Sequence, residues 1–498
     1  MSTSKSALIL YPNQLYALEH LPKVGTVILV EEPLYFGFDQ EYPLRLHKQK
    51  LILHRASMRR YTEEVLWPAG YEVDYVELDV FMSTGDVLDR TKKFGHVYIF
   101  EPTDEILAKR LLKVRRERDD LPTLEFLPTP NFYLKDNDVR QYFNERHQHL
   151  FADFYQWQRE RFNILIGDDY KPLGGKWSLK SEKAQKLPEG QDPPGFTVFG
   201  SNKHVADAVV YINEHFPDNP GSTDFIWPTN HTEAKEWLND FIENRLPHYG
   251  TYEAAIGSKA PWLYHSALAG SLNVGLLSPQ EVVEAALKRH ERAPINIEDL
   301  ESFICKVLGW REFTRGLYLV KEAQLRASNT THNQRRLTNA WYEGTTGLPP
   351  FDDMVKKLWT HAYVHNTERS IIAGNLMMLC EIHPEDMYRW HSELFIDAYD
   401  WVLTPEIYAL TNFAGDMPWV AQSRLSSSHT LLQVSNYERG QWADTWDGLF
   451  WRFVEKHKTL LNKQPHMRVM VQRLGRLDPD RKRIIGYRAE DFLNNFTR

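Results

Sequence analysis

Cysteine is almost missing from this 498-residue chain: only Cys305 and Cys380 occur, far apart and outside any Cys-x-x-Cys. That argues against a disulfide framework and against a cysteine-ligated zinc or iron–sulfur centre. Two buried free thiols fit a reducing cytoplasm, which is the expected location. No apolar run approaches the roughly 18–20 residues of a membrane-spanning helix. Met1 to Lys5 leads toward a strand-like run with no leader pattern. No Gly-x-Gly-x-x-Gly is present, so the dinucleotide fingerprint is missing. Excess positive charge is missing too, since 59 Lys and Arg face 67 Asp and Glu, a formal net charge of -8. The protein as a whole is therefore not a basic nucleic-acid binder. One stretch departs from this: Arg452 to Arg498 holds 12 Lys or Arg against 5 Asp or Glu, a local face able to hold phosphates.

Aromatic residues, by contrast, are plentiful: 13% of the chain, with 15 Trp. Such a load serves packing, stacking on a planar ligand or base, or electron conduction. Residues 1–135 read as an α/β domain. Strand-like runs occur at Ser6 to Leu10, Gly25 to Val30, Tyr71 to Leu78 and His96 to Phe100. Helical patterns at Leu44 to Val65 and Asp104 to Arg118 alternate with them, which predicts a Rossmann-like parallel sheet. Residues 136–205 read as a linker, Gly- and Pro-rich from Lys171 to Pro194. Residues 206–498 read as all helical, with amphipathic patterns at Glu233 to Arg245, Pro279 to Arg289, Ile297 to Tyr318, Phe351 to Tyr363, Thr367 to Leu379 and Pro384 to Trp401.

Three polar segments interrupt this helical half. The first, Tyr264 to Pro279, is rich in Ser and Gly and ends in Ser278-Pro279, an N-cap and first-turn pair. It is either a tight helix–helix turn or a place for a pyrophosphate. The second, Gly309-Trp310-Arg311-Glu312-Phe313, sets charges in an apolar helix, where Arg suits bidentate phosphate binding. The third is His361 to Ser370, read as helical, with His361 over His365 and His365 over Arg369 at i, i+4 spacing. Asp397 lies downstream as a partner for Arg369. Together the three predict a large polar ligand enclosed by helices.

These residues, in this order, resemble the cryptochrome/photolyase family. The marks are the turn ending in Leu277-Ser278-Pro279, Trp310-Arg311-Glu312-Phe313, His365-Asn366-x-x-Arg369, and Ile396-Asp397-x-x-Asp400. The chain is most similar to the bacterial photolyase-related, (6-4) photolyase-like branch that usually carries an iron–sulfur cluster. Shared segments are His47-Lys48-Gln49-Lys50, Gly174 to Trp177, Leu272 to Leu277, His361-Ala362-Tyr363 and Tyr388-Arg389-Trp390.

The resemblance implies FAD in the helical domain. Tyr252, His265, Ser266 and Leu268 would contact its phosphates and ribose, and Arg311, Asn366, Arg369 and Asp397 would surround its ring system. Trp310, His365 and Asn366 would form the catalytic face toward a flipped DNA lesion. Trp390, Trp341 and Tyr342 fall at electron-relay positions. An antenna, usually 6,7-dimethyl-8-ribityllumazine, would sit near Asn13, Gln14 and Glu32. The expected partner is UV-damaged DNA, bound by a monomer that uses no membrane. The expected activity is a blue-light-driven deoxyribodipyrimidine photolyase, with a cryptochrome-type photoreceptor as the alternative.

Two departures qualify the lesion and the metal. Pro350 and the run Val434 to Trp446 lack the branch's cluster cysteines, so no iron–sulfur cluster is expected. The branch's usual His-His pair is here His365-Asn366, and a carboxamide cannot exchange a proton near neutral pH. The branch favours a (6-4) photoproduct, while Asn366 admits a cyclobutane dimer.

Overall fold

The computed structural model describes residues 6–79, 82–179, 185–199, 201–410, 425–463 and 465–498. Residues 180–184, part of the expected Gly- and Pro-rich linker stretch, lie outside the described set, as do residues 1–5.

Five parallel strands form the N-terminal sheet: β1 (Ser6–Leu10), β2 (Thr26–Val30), β3 (Glu72–Val76), β4 (His96–Phe100) and β5 (Thr123–Leu127). Their order is β3-β2-β1-β4-β5. β2 (Thr-Val-Ile-Leu-Val) is buried along its whole length and β1 from Ala7 on, as expected of central strands covered on both faces. The Lys48–Tyr61 and Glu105–Glu117 helices are crossovers on this sheet. The chain runs from β1 out to β3, then returns to pair β4 against β1. The β1/β4 boundary is thus the switch point, and the crevice beyond its carboxyl ends is where such sheets bind ligands. β5 escapes the sequence reading because it is a half-exposed edge strand following Asp119-Asp120.

The Asp136–Asn144 and Phe151–Phe162 helices, in the stretch expected to be a linker, dock on the helical half. Glu312, fully buried, accepts Tyr133 N at 2.8 Å and Leu134 N at 3.2 Å. Gly316 lets Phe143 approach so closely that an added Cβ would lie 2.1 Å from its ring. Glu312 therefore anchors the segment that leads into these helices and does not line a phosphate pocket with Arg311.

The predicted Ile297 to Tyr318 helix is three segments: Ile297–Ile304, a π-helical turn Cys305–Trp310, and Arg311–Arg326. Thr367 to Leu379 likewise contains a π-helical stretch, Arg369–Gly374. Such widened turns cluster at functional sites, and here one ends just before Arg311 and the other begins at Arg369. The predicted Pro384 to Trp401 helix breaks after Leu394, where Phe395 is extended, and resumes at Asp400.

The His361 to Ser370 segment is not one helix. The Pro349–His361 helix ends with Ala362 in the left-handed region at φ 54. His365 then caps the N-terminus of Asn366–Glu368. His361 and His365 therefore do not share a helix face. The break frees the Ala362 carbonyl to accept Ile396 N at 2.9 Å, which draws the Asp397 loop alongside.

Candidate functional site

His265 and His365 come from separate loops and stack face to face, ring centres 4.1 Å apart and planes within 10°. Both are buried. Burial, with Lys306 nearby, pushes His265 down to about 3. Burial, followed by His265, Lys357 and Arg369, holds His365 well below the usual imidazole range. Both rings are therefore neutral at pH 7. His365 Nδ1 accepts Glu368 N at 3.4 Å, so its proton is assigned to Nε2.

Beside the imidazoles lies a chain of polar groups. Arg311 Nη1 donates to Asn273 Oδ1 at 2.7 Å, and Asn273 Nδ2 donates to the Asp397 carbonyl at 3.1 Å. Arg369 Nη2 donates to Asp397 Oδ1 at 2.6 Å. Arg311 lies over the rings of Phe132 and Trp401, and Arg369 over Phe395 at 4.0 Å. Burial lowers Arg311 to about 10, which still leaves it a cation at pH 7.

Four buried nitrogens in this group lack a protein partner: His265 Nε2, His365 Nε2, Arg311 Nη2 and Arg369 Nε. Buried polar atoms left unsatisfied cost about 1–3 kcal/mol each. Clustered beside two cations, they fit a large ligand with several acceptors and a negative charge, and FAD, with its diphosphate and its ring carbonyls, is such a ligand.

The remaining predicted contacts spread around this centre. Tyr252 stacks on Tyr264, ring centres 4.9 Å apart. The Ser266 carbonyl accepts Trp237 Nε1 at 3.0 Å, and Leu268 caps the Ala269–Val274 helix. Asn366 is exposed and lines a cleft of about 20 Å³ with Arg369, Ser370 and His391. Trp310 is half-buried against the main core. Asn273, Lys357 and Glu368 were not singled out from sequence. Asn273 gave one signal, as a lone carboxamide in the apolar run Leu272 to Leu277.

Trp390 and Trp341 are fully buried, and Trp390 Nε1 donates to the Trp341 carbonyl at 3.0 Å. Phe351 sits between them, 5.9 Å from Trp390 and 4.9 Å from Trp341. Phe395, under Arg369, lies 5.9 Å from Trp390 on its other side. Tyr342 is half-buried, and its phenol bonds Glu393.

A larger cavity, about 560 Å³, opens where the sheet meets the helices. Tyr35, Lys50, Asp104, Arg326, Tyr388 and Tyr399 line it. Lys50 donates to the Ala398 carbonyl and lies 4.6 Å over the Tyr399 ring; burial lowers it to about 7. Burial and then Asp400 raise Asp104 above the carboxylate range. The Tyr35 hydroxyl is buried without a hydrogen-bond partner. Asn13 and Gln14 lie behind this wall, donating to Thr103 Oγ1 at 2.9 Å and the Phe100 carbonyl at 3.2 Å. Glu32, raised to about 7 by burial, faces a separate cleft with Asp39 and Arg110. None of these three lines the larger cavity.

Among the described residues no group of three or more His, Cys, Asp or Glu is placed to hold a metal ion. Trp442 and Trp446 are buried in the main core. Among the described residues no helix is long and apolar enough to cross a membrane.

Comparison with known proteins agrees with this architecture. Residues 8–227 match the family model described as deoxyribodipyrimidine photo-lyase-related protein. Residues 303–446, which hold Arg311, His365, Arg369 and Asp397, match the FAD binding domain of DNA photolyase. A (6-4) photolyase of Agrobacterium fabrum is 26% identical over 497 residues, covering 95% of this chain and 94% of its own. A bacterial class III photolyase structure from Agrobacterium tumefaciens shares the fold at TM-score 0.56 and 19% identity, over 98% of this chain and 92% of that one. A Synechocystis cryptochrome structure does so at TM-score 0.56 and 16% identity, over 87% and 89%. With both regions matched, in the order in which the sheet and the helical half were found, the chain belongs to the photolyase-related family of the cryptochrome/photolyase fold.

Proposed function

We propose that this protein is an FAD-dependent, light-driven DNA photolyase acting on UV pyrimidine lesions. One observation carries the reading: the buried, unpartnered donors of His365, Arg311 and Arg369 lie in the segment matched by the photolyase flavin domain, and His265, stacked on His365, adds a fourth. Bound and reduced, the flavin supplies an electron on excitation.

The chain's residues do the rest. Arg311 and Arg369 hold the anionic parts of the cofactor, and Asp397 orients Arg369. Trp310, His365 and Asn366 would form the lesion face. His365 would bring a neutral imidazole to this face, and exposed Asn366 a carboxamide. The ladder Phe395–Trp390–Phe351–Trp341 gives electrons a path toward the flavin. Exposed Arg473, Arg476 and Arg483 present positive charge for the DNA backbone. The cavity lined by Tyr35, Lys50 and Tyr399 would hold an antenna chromophore, with Lys50 supplying a donor and the tyrosines an aromatic wall.

A (6-4) photoproduct is the favoured lesion, because the relative that matches along nearly the whole chain is a (6-4) photolyase. A cyclobutane dimer is the second reading, favoured by Asn366 and by the neutral state of His365. The test is to illuminate reduced protein with oligonucleotides carrying each lesion and count restored pyrimidines. Restoration of either lesion supports the lyase. Restoration of neither, with flavin bound and photoreducible, supports a photoreceptor instead.

A further inference from the structure

Behind His365 lies a buried ion pair. Lys357, on the Pro349–His361 helix, bonds the Glu368 carboxylate through Oε1 and the Gly257 carbonyl at 2.9 Å. Glu368 is fully buried and Lys357 nearly so. The other carboxylate oxygen, Oε2, has no partner. It stands 3.6 Å from His365 Nε2, which has none either. Two orphaned atoms, one an acceptor and one a proton-bearing nitrogen, thus face each other just beyond hydrogen-bond length.

A buried imidazole takes a second proton only when an opposite charge offsets the loss of water. Four charged or titratable groups face His365. His265 stacks on it, Lys357 and Arg369 are cations, and Glu368 alone is an anion. Asp353 and Tyr437 stand behind Glu368, and Arg369 is itself committed to Asp397. Lys306 lies behind His265, whose ring also meets the Glu253 backbone.

We propose that Lys357 decides whether His365 can act as an acid: by neutralising the Glu368 carboxylate it withholds the counter-charge that a protonated His365 would need. Glu368 and Lys357 are then positioning residues acting through His365. They keep the ring neutral, with its proton on Nε2 and Nδ1 free to cap the Asn366–Glu368 turn. Protonation would turn Nδ1 into a donor and cost that cap, so the arrangement has two self-consistent states: Lys357 on Glu368 with neutral His365, or Glu368 turned to a charged His365. No bond other than N–H is involved, and the second proton comes from water. The bearing of this control on lesion chemistry rests on the repair reading above; the protonation state does not.

The test is histidine-selective NMR on the full-length, flavin-loaded protein, following the His365 ring from pH 5 to 8. The wild-type ring is expected to remain neutral throughout. In Lys357→Met the freed carboxylate should lift the His365 midpoint by about 1–3 pH units, as an opposite charge at this range does. Lys357→Gln, which removes the cation but keeps a hydrogen bond to Glu368, should do the same and serves if the methionine variant does not fold. The double variant Lys357→Met/Glu368→Gln, with neither charge, should restore the wild-type curve. A His365 ring that stays neutral throughout in the folded single variants overturns the proposal, as does a double variant that titrates like the single. These outcomes are read whether or not the protein repairs DNA.

Discussion

Arg369 and Asp397 meet at 2.6 Å with both side chains about nine-tenths out of water. The carboxylate arrives because the Pro384–Leu394 helix stops at an extended Phe395 and the Ala362 carbonyl binds the next residue, Ile396. Removing one partner of such a buried pair costs about 3–5 kcal/mol, largely through the charge left behind. Asp397→Ala is therefore expected to lower unfolding stability by about that much and to abolish FAD retention. Chemical denaturation and the flavin absorption of the purified variant measure the two effects. Full flavin occupancy in the variant would remove Arg369 from the binding set.

His391 gives a clean pH prediction. It is buried with Nδ1 bonded to the Met387 carbonyl at 2.7 Å, and burial lowers it to about 3 from an ordinary 6.5. The unfolded chain therefore takes up this proton first as the solution is acidified. The contribution to stability is complete above pH 6.5 and fades as pH falls toward 3. Between those limits it amounts to about 1.4 kcal/mol per pH unit. His391→Gln should flatten the pH dependence of unfolding free energy by that slope between pH 6 and 4. Parallel curves for variant and wild type would contradict a neutral buried His391.

Gly448 tests the helical scaffold. It lies where the Gln441–Lys456 and Pro479–Phe496 helices cross, and a Cβ there would lie 2.0 Å from the Ile485 carbonyl oxygen. Backbone cannot yield as a side-chain tip can, so Gly448→Ala should cost about 1–3 kcal/mol or more. Urea denaturation reads the loss. A neutral substitution would mean the helices can separate freely.

Much of this architecture was legible in the chain. β1, β2 and β4 announce themselves as short apolar runs, and the helical half follows from its amphipathic spacing. β5 does not, because Thr123–Leu127 is an edge strand with charged Glu125 facing His96. Arg311, His365, Arg369 and Asp397 were visible as polar residues in apolar surroundings. The roles of Asn273, Lys357 and Glu368 were not, since Asn273 meets partners from distant segments and Lys357 reaches Glu368 only because the chain turns back at Ala362. His361 and His365 misled for a local reason. Ala362 leaves the helix in a left-handed conformation that no helical spacing rule anticipates.

The electron path makes its own prediction. Trp390 sits between Phe395 and Phe351, and its indole bonds the Trp341 carbonyl. Trp390→Phe should slow photoreduction of bound flavin by at least an order of magnitude, with flavin content unchanged. Transient absorption after a blue flash measures it. An unaltered rate would place the path elsewhere.

Lys50 reports on the larger cavity. Lys50→Met removes the cation that lies over Tyr399 in this wall, while the hydrogen bonds joining Arg311, Asn273, Asp397 and Arg369 keep all their partners. Any second chromophore co-purifying with the protein should be lost, and the flavin kept. Retention of both would show that Lys50 does not hold it.

The central claim is that the network around His265, Arg311 and Arg369 holds a flavin that drives repair under light. The most direct measurement follows one reduced, flavin-quantified sample with lesion-bearing oligonucleotide, in the dark and under blue light. The account predicts one FAD per chain and restoration of intact pyrimidines under illumination only. Protein that binds no FAD, or that binds it and restores neither lesion under light, would contradict it.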